Sequence, residues 1–227
     1  MRVVSRLWVG IGILFLLQGC GSGEIKVEGE FTDLSGEMRL LAVMPSLSDT
    51  LNIVGKIQAK KVEWKIPALD MPAKVWIEAE GKRVVEFILD QKKGIRIGGT
   101  LKNDSVVVSG GKLEKEYAAL RQFLKENYES PLEEINHSVS RMLGRSKRTS
   151  SDEKRLSRLV TLRGHYEYYR NVYIKKLVRA NLSHELSLVL IEEELGDSVH
   201  VQRQLFQELT IENKNSYLYR ILEKRLQ

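Results

Sequence analysis

Residues 106–113 read VVVSGGKL, and the periodicity of the sequence changes within this stretch. Upstream of it, apolar and polar residues alternate with a period of two, which is typical of strands with one wet face. Downstream, apolar residues recur at steps of three and four, the spacing of an amphipathic helix. The adjacent Gly110 and Gly111 interrupt both patterns. The sequence therefore predicts an α+β fold, with an N-terminal antiparallel β-sandwich-like domain over residues 25–110 and an α-helical domain over residues 111–227.

The β-rich half predicts seven or eight short strands joined by turns. The clearest alternation runs through Ile25, Val27, Gly29 and Phe31, with lysine and glutamate between them. Thirteen basic and thirteen acidic residues between positions 20 and 110 cancel, and we expect them on the solvated face of the strands. No histidine occurs in this half, so it lacks the most common general base and metal ligand. The other strands are expected near residues 38–42, 62–66, 75–80, 84–89, 95–97 and 106–108.

The helical half predicts six segments from the recurrence of leucine, valine and tyrosine. Pro131 is expected to start the second segment, and a capping box over residues 150–153 starts the third, which is the longest. Residues 186–195 are apolar almost all round and predict a buried helix. Gly196 and Asp197 are expected to turn the chain and cap the fifth segment. The predicted segments are residues 113–128, 131–144, 150–180, 186–195, 199–209 and 217–226.

Composition bounds the chemistry of this chain. Its 227 residues are 42% hydrophobic and 29% charged, an ordinary globular balance. Cys20 is the only cysteine, so the folded body can form no internal disulfide and carries no thiol pair. The net charge of +6 falls to +4 without Arg2 and Arg6, which is too small to indicate a nucleic-acid partner.

The first twenty residues have the order of a secretory signal. Arg2 and Arg6 precede an uncharged apolar run at residues 7–17, too short to span the ~30 Å hydrocarbon core of a bilayer. Residues 17–20, LQGC, resemble the lipobox of bacterial lipoproteins. That resemblance implies cleavage between Gly19 and Cys20 and anchoring to the membrane through acyl chains on Cys20. Residues 1–19 are thus the predicted signal peptide, and residues 20–24 are the lipidated cysteine with its tether.

The signal also predicts a compartment. Ser22, the second residue after the lipid attachment, resembles the residue found there in lipoproteins that are sent on to the outer membrane. We therefore expect a lipid-anchored protein of the cell envelope, on the outer membrane and facing the periplasm.

No arrangement of catalytic or metal-ligating residues stands out. His184 and Glu185 begin the zinc-helix pattern His-Glu-X-X-His, but the second ligand position is Leu188, so we expect a helix-cap or surface histidine. Residues 192–194 are all glutamate, and because neighbouring helix residues point in different directions, we expect a solvated charge run rather than a carboxylate pair. The sequence therefore predicts a protein that is not an enzyme and that uses no metal or cofactor.

The strongest anomaly is electrostatic. Residues 141–179 contain twelve lysines and arginines against three acids, a net charge of +9. On the long predicted helix, Arg158, Lys175, Lys176 and Arg179 fall roughly opposite the leucine and tyrosine stripe. This pattern predicts either a solvated helix face or a contact for something anionic, such as lipid head groups, lipopolysaccharide or an acidic partner.

Four tyrosines accompany the basic stretch. Tyr166, Tyr169 and Tyr173 follow the apolar stripe, so we expect them to pack in the core, whereas Tyr168 is expected to face outwards. A nucleic-acid site would place several aromatic side chains outwards, beside the bases. The tyrosine pattern therefore argues against nucleic acid as the partner.

The order of short motifs resembles one family. IKVEG at residues 25–29, VEW at 62–64, VEF at 85–87 and VVVSGG at 106–111 are similar to the domain of unknown function found N-terminal to thioredoxin-like domains, of the thiol–disulfide interchange type, in Bacteroides-type lipoproteins. NLSH at residues 181–184 and NSYL at 215–218 resemble the helical steps that lead on to the redox domain in that family. No Cys-X-X-Cys pair occurs in this chain, so the resemblance carries over no redox residue.

Two functions remain open on these grounds. The first is a lipid-anchored cell-envelope protein that acts as a non-enzymatic binding or scaffolding module, with the membrane, an envelope protein or an anionic lipid as its partner. The alternative is an accessory of periplasmic thiol–disulfide exchange that works with a separate thioredoxin-like protein.

Overall fold

The computed structural model describes residues 24–34, 36–44, 46, 49–101, 105–145, 147, 149–195 and 198–227. The predicted signal peptide, the cleavage site at Gly19 and Cys20, and the tether up to residue 23 lie outside the described residues. The predicted turn at Gly196 and Asp197 lies outside them as well.

The predicted α+β architecture is confirmed, with strands in the N-terminal half and helices in the C-terminal half. Each predicted strand is present, but the described residues also contain two strands, β3 and β4, that the apolar alternation of the sequence did not predict. The side chains of both strands are half-buried or exposed, so they carry no strong apolar alternation. The strands are β1 Ile25–Phe31, β2 Met38–Val43, β3 Thr50–Val54, β4 Lys56–Gln58, β5 Lys61–Ile66, β6 Ala73–Ala79, β7 Lys82–Leu89, β8 Ile95–Thr100 and β9 Ser105–Ser109.

The strands form two sheets. Sheet A has the order β4-β5-β1-β8-β9, and sheet B has the order β3-β2-β6-β7. All neighbours are antiparallel except β1 and β8, which pair in parallel, so the two sheets are antiparallel-rich with one parallel pair. The chain leaves sheet A after β5, forms the β6–β7 hairpin in sheet B, and returns to sheet A in the direction of β1.

The two sheets enclose the first hydrophobic core. The inward residues of β1 alternate with exposed ones along its whole length, as the period of two requires. Trp64 is the largest fully buried side chain. Its indole fills a space between Gly29 and Gly55, where an added Cβ would come within 3.0 Å of Trp64 atoms. The absence of side chains at Gly29 and Gly55 therefore makes room for the indole of Trp64.

Helices cover the outer face of sheet B, so the molecule has three layers. Strand β6 buries the consecutive residues Val75, Trp76 and Ile77, which is possible only when both of its faces are covered. Ile88 of β7 belongs to the second hydrophobic core, which the helices build. The helices are α1 Lys112–Leu124, α2 Ser130–Leu143, α3 Ser150–Ala180, α4 Leu186–Glu193, α5 Val199–Glu208 and α6 Tyr217–Leu226.

The sandwich and the helical half are joined by backbone and side-chain hydrogen bonds. The Tyr217 amide donates to the Asp70 carbonyl at 2.7 Å, and the Leu218 amide donates to the Pro72 carbonyl at 3.0 Å. The buried Glu114 carboxylate accepts from the Ile88 amide at 2.7 Å, and burial raises the pKa of this carboxyl. The two predicted domains therefore share a bonded interface across the outer face of sheet B.

The sequence predicts that Pro131 starts a separate helix, and this prediction is wrong. Helix α1 continues through a π-helical segment, Lys125–Glu129, directly into α2. Proline lacks an amide hydrogen and its ring crowds the preceding turn, so an α-helix cannot pass through it unchanged. The wider π turn lies just ahead of the proline and lets the helix continue.

Candidate anionic-surface contact

Helices α2 and α3 form an antiparallel pair, which we call the helical arm. Helix α2 packs mainly against α3 and the π segment. The fully buried side chains of the 31-residue α3 are Ile174 and Val178, both near its C-terminal end. Among the described residues, the N-terminal part of α3 therefore packs mainly against α2, and most of its surface faces solvent.

A capping box fixes the start of α3. The Asp152 amide donates to Thr149 Oγ1 at 3.2 Å, and the Thr149 amide donates to Asp152 Oδ2 at 3.0 Å. The box predicted at residues 150–153 is thus displaced by one residue. Hydrogen bonds from the amide and the hydroxyl of Thr149 lower the pKa of the Asp152 carboxyl, and Arg145 donates to the same carboxylate at 2.8 Å. The residues flanking the tip of the arm are therefore held in place by local bonds.

The four cations predicted for the contact have different surroundings. Arg158 and Lys176 are exposed, and Lys175 is half-buried. Arg179 donates from Nε and Nη2 to the two carboxylate oxygens of Glu208, at 2.9 and 3.1 Å, and these bonds raise the pKa of its guanidinium. Arg179 thus fastens α3 to α5, and we remove it from the candidate contact.

Among the described residues, most cations of the arm have no carboxylate partner. Arg145, Arg163 and Arg170 form ion pairs, with Asp152, Glu167 and the pair Glu129 and Glu194 respectively. Seven cations of the arm lie more than 4 Å from any carboxylate oxygen in the part of the chain that the structure describes. They are Arg141, Lys147, Lys154, Arg155, Arg158, Lys175 and Lys176. Glu133, Glu134 and Glu153 of the arm also have no ion pair, so the unpaired charges of its described residues sum to +4. This excess attracts anions over ~8 Å, the Debye length at physiological salt.

One tyrosine prediction is wrong. Tyr168 is 63% exposed, as predicted, but Tyr169 is 58% exposed rather than packed in a core. Tyr173 is half-buried and stacks near Phe123, with ring centroids 5.2 Å apart. A single neighbouring helix covers only part of the circumference of α3, so an apolar stripe as wide as the sequence suggested cannot be buried. Leu162, at 43% exposed, is left outside for the same reason.

The glutamates at residues 192–194 are not a solvated run, which corrects the sequence-based expectation. Glu192 pairs with Arg225 of α6 at 2.7 Å, and Glu193 pairs with Lys74 of β6 at 2.5 Å. Adjacent helix residues point in different directions, and here each direction leads to a different part of the fold. Burial raises the pKa of the Glu193 carboxyl.

Glu194, the last of the three, binds two groups. It accepts from the Arg170 guanidinium and, at 2.8 Å, from the Tyr117 hydroxyl. Burial and the Glu194 carboxylate hold the pKa of that hydroxyl far above its usual value, so the hydroxyl stays protonated and donates. These bonds fix the base of the arm to α1 and α4, and they have a structural role.

His184 lies at a cleft of about 570 Å³ beside the start of α1. Its Nδ1 accepts from the Leu186 amide at 3.1 Å, and its Nε2 is 3.5 Å from Glu116 Oε2. This histidine caps the turn before α4, as the sequence predicted. Within the described ranges, no group of three histidine, cysteine, aspartate or glutamate side chains is arranged to hold a metal ion.

A groove of about 700 Å³ lies on the outer face of sheet A. Its charged residues are paired across neighbouring strands: Lys56 opposes Glu63, Lys61 opposes Glu30, and Glu28 opposes Arg96. Opposite charges at directly facing positions stabilise a sheet. The groove therefore carries no excess charge of either sign, in contrast to the arm.

Fold and surface together define an α+β protein with a cationic helical arm. Comparisons with protein-family models, curated proteins and solved structures found no match to this chain. The resemblance to the domain found N-terminal to thioredoxin-like domains therefore stays a prediction. In the described part of the chain, none of the helices combines the length and apolar character that crossing a bilayer requires.

Proposed function

We propose that this chain is a lipid-anchored cell-envelope protein, on the outer membrane and facing the periplasm, that acts as a non-enzymatic binding or scaffolding module. In this proposal the helical arm is its contact with an anionic surface. The observation that carries the contact is the set of seven unpaired cations on the arm. A basic group near an anionic membrane contributes roughly 1 kcal/mol of attraction, so several acting together give measurable binding.

The short tether supports a membrane as the surface. Ile25 begins β1, five residues after Cys20. A fully extended chain spans at most about 3.5 Å per residue, so the sandwich would stay within roughly 17 Å of the lipid-bearing cysteine. Attraction by the arm then has only to orient a body that is already at the surface, since anchoring makes the second contact effectively intramolecular.

The anchor is tested by the variant Cys20→Ala in the full chain. We expect the unchanged protein to be cleaved before Cys20 and to partition with membranes, because acyl chains on Cys20 hold it there. We expect the variant to accumulate as the unprocessed precursor. Mass spectrometry of the N-terminal peptide measures both outcomes. A mature protein whose Cys20 is free of lipid would contradict the anchor.

The contact is tested with residues 24–227 and vesicles of phosphatidylcholine mixed with phosphatidylglycerol. We expect binding at low salt that fades at about 0.3 M, where the Debye length is about 6 Å. Changing Arg155, Arg158, Lys175 and Lys176 to glutamine is expected to abolish it, because four contributions of roughly 1 kcal/mol are lost. Co-sedimentation measures the bound fraction.

A matched control separates location from total charge. Lys56, Lys60, Lys61 and Lys65 are exposed on β4, β5 and the turn between them, and changing all four to glutamine removes the same charge away from the arm. This control is expected to retain most of the binding. Equal losses in both variants, or binding that ignores salt, would show that the arm is only a solvated helix pair.

A further inference from the structure

The surface of α3 that faces away from its buried residues carries a regular stripe. Its members follow one another at steps of three and four residues and are exposed, apart from the half-buried Val172. At 100° per residue they are centred roughly 200° around the helix from the buried Ile174. We call these residues the outer stripe: Arg155, Arg158, Leu162, His165, Tyr169, Val172 and Lys176.

Basic and apolar side chains are segregated along the outer stripe. Unpaired cations lie at its two ends, with Arg155 and Arg158 at one and Lys176 at the other. Between them lie the exposed Leu162 and Tyr169, and the stripe contains no acidic residue. At a rise of 1.5 Å per residue, its length is about 32 Å. A long, straight line of this kind fits an extended surface better than a small ligand.

The chemistry favours a bilayer surface over a partner helix. A helix packing along a stripe with this spacing needs apolar residues at most positions. Only Leu162, Tyr169 and the half-buried Val172 meet that need, and the other four members of the outer stripe are basic residues or histidine. Basic residues can instead bind lipid phosphates by charge, while an exposed leucine and tyrosine enter the interfacial layer.

A series of contacts connects the start of β1 with the C-terminal end of the helix that carries the outer stripe. The Lys26 amide at the start of β1 donates to the Lys92 carbonyl, and nearby Asp90 accepts from the Leu113 amide of α1. Glu116 in the same turn of α1 is 3.5 Å from His184, which follows the C-terminal end of α3. These contacts connect the start of β1, through β7 and α1, with the turn that follows α3.

We propose that α3 lies flat on an anionic bilayer through the outer stripe, with Leu162 and Tyr169 entering the head-group region and the cations binding lipid phosphates. This inference rests on the proposed function, since it assumes that the arm contacts a membrane. It goes beyond attraction by charge alone because it specifies which face of α3 touches the lipid.

Single-cysteine labelling tests the orientation, because residues 24–227 contain no native cysteine. An environment-sensitive fluorophore is attached to Leu162→Cys, to Tyr169→Cys or, as a control on another exposed face of α3, to Asn171→Cys. With vesicles that contain phosphatidylglycerol, the emission of the first two labels is expected to shift to shorter wavelength. The label at position 171 is expected to stay unchanged, and pure phosphatidylcholine is expected to shift none of them.

Substitution of the two exposed apolar side chains gives a second test, in which vesicle partitioning is measured. Leu162→Ser combined with Tyr169→Ser is expected to lower vesicle partitioning roughly tenfold, since apolar contacts with the interface are lost. Val160→Ser is the matched control, because Val160 is 45% exposed on a different face. It is expected to leave partitioning unchanged, and thermal unfolding of all three proteins should be similar.

The outcomes separate the two proposals. Vesicle binding in which all three labels respond alike, or in which only position 171 responds, overturns the orientation and leaves the proposed function standing. No binding to vesicles that contain phosphatidylglycerol overturns both the orientation and the proposed contact of the arm with a membrane, whereas the anchor is tested separately by Cys20→Ala. Shifts confined to positions 162 and 169 support the orientation.

Discussion

Replacing Trp64 by alanine in residues 24–227 is expected to lower the free energy of unfolding by about 3–5 kcal/mol. The side chain is fully buried between the two sheets and packs against Gly29 and Gly55. Neither glycine has side-chain atoms that could move into the vacated space, so a cavity would remain. Urea unfolding followed by circular dichroism measures the change.

Trp64→Phe separates volume from hydrogen bonding. The Trp64 Nε1 atom is buried without a hydrogen-bond partner among the described residues, so phenylalanine loses no bond there. We expect this variant to cost only about 1 kcal/mol, within the ordinary range for a buried substitution. A loss below about 1 kcal/mol for Trp64→Ala would mean that the sheets close over the cavity.

Changing Gly110 to alanine is expected to cost about 3 kcal/mol, from backbone strain and overpacking together. Gly110 has φ +109°, a backbone conformation that residues with a Cβ atom rarely adopt. An added Cβ would lie 1.9 Å from the carbonyl oxygen of Gly94. That oxygen belongs to the backbone just before β8, so it cannot rotate away as the end of a side chain could.

Two other glycines serve as controls in the same unfolding measurement. Gly81 also has a positive φ, +75°, but an added Cβ meets nothing within 4 Å, so Gly81→Ala is expected to cost only about 1–2 kcal/mol. Gly164 lies in α3 with open space around it, so Gly164→Ala is expected to stabilise the protein by up to about 1 kcal/mol. Equal effects at positions 81 and 110 would show that the contact with Gly94 is unimportant.

The periodicity of a helix predicts which of its residues face solvent, but not which residues of other helices they contact. The run of cations in α3 was visible in the sequence, and Arg158 and Lys176 are exposed as expected. That Arg179 is bound to Glu208, 29 residues away along the chain, depends on how α5 packs beside α3. The spacing of residues within one helix contains no information about such a neighbour.

The sequence by itself determined where strands give way to helices, because local periodicity and glycine chemistry act over a few residues. It also determined most element bounds, including the buried helix α4. The tertiary structure alone decided the parallel pairing of β1 with β8, the exposure of Tyr169 and the separate partners of residues 192–194. These features depend on contacts between residues far apart in the chain. The apolar pattern of a strand or helix shows which of its faces is buried, but it does not show which other element packs against that face.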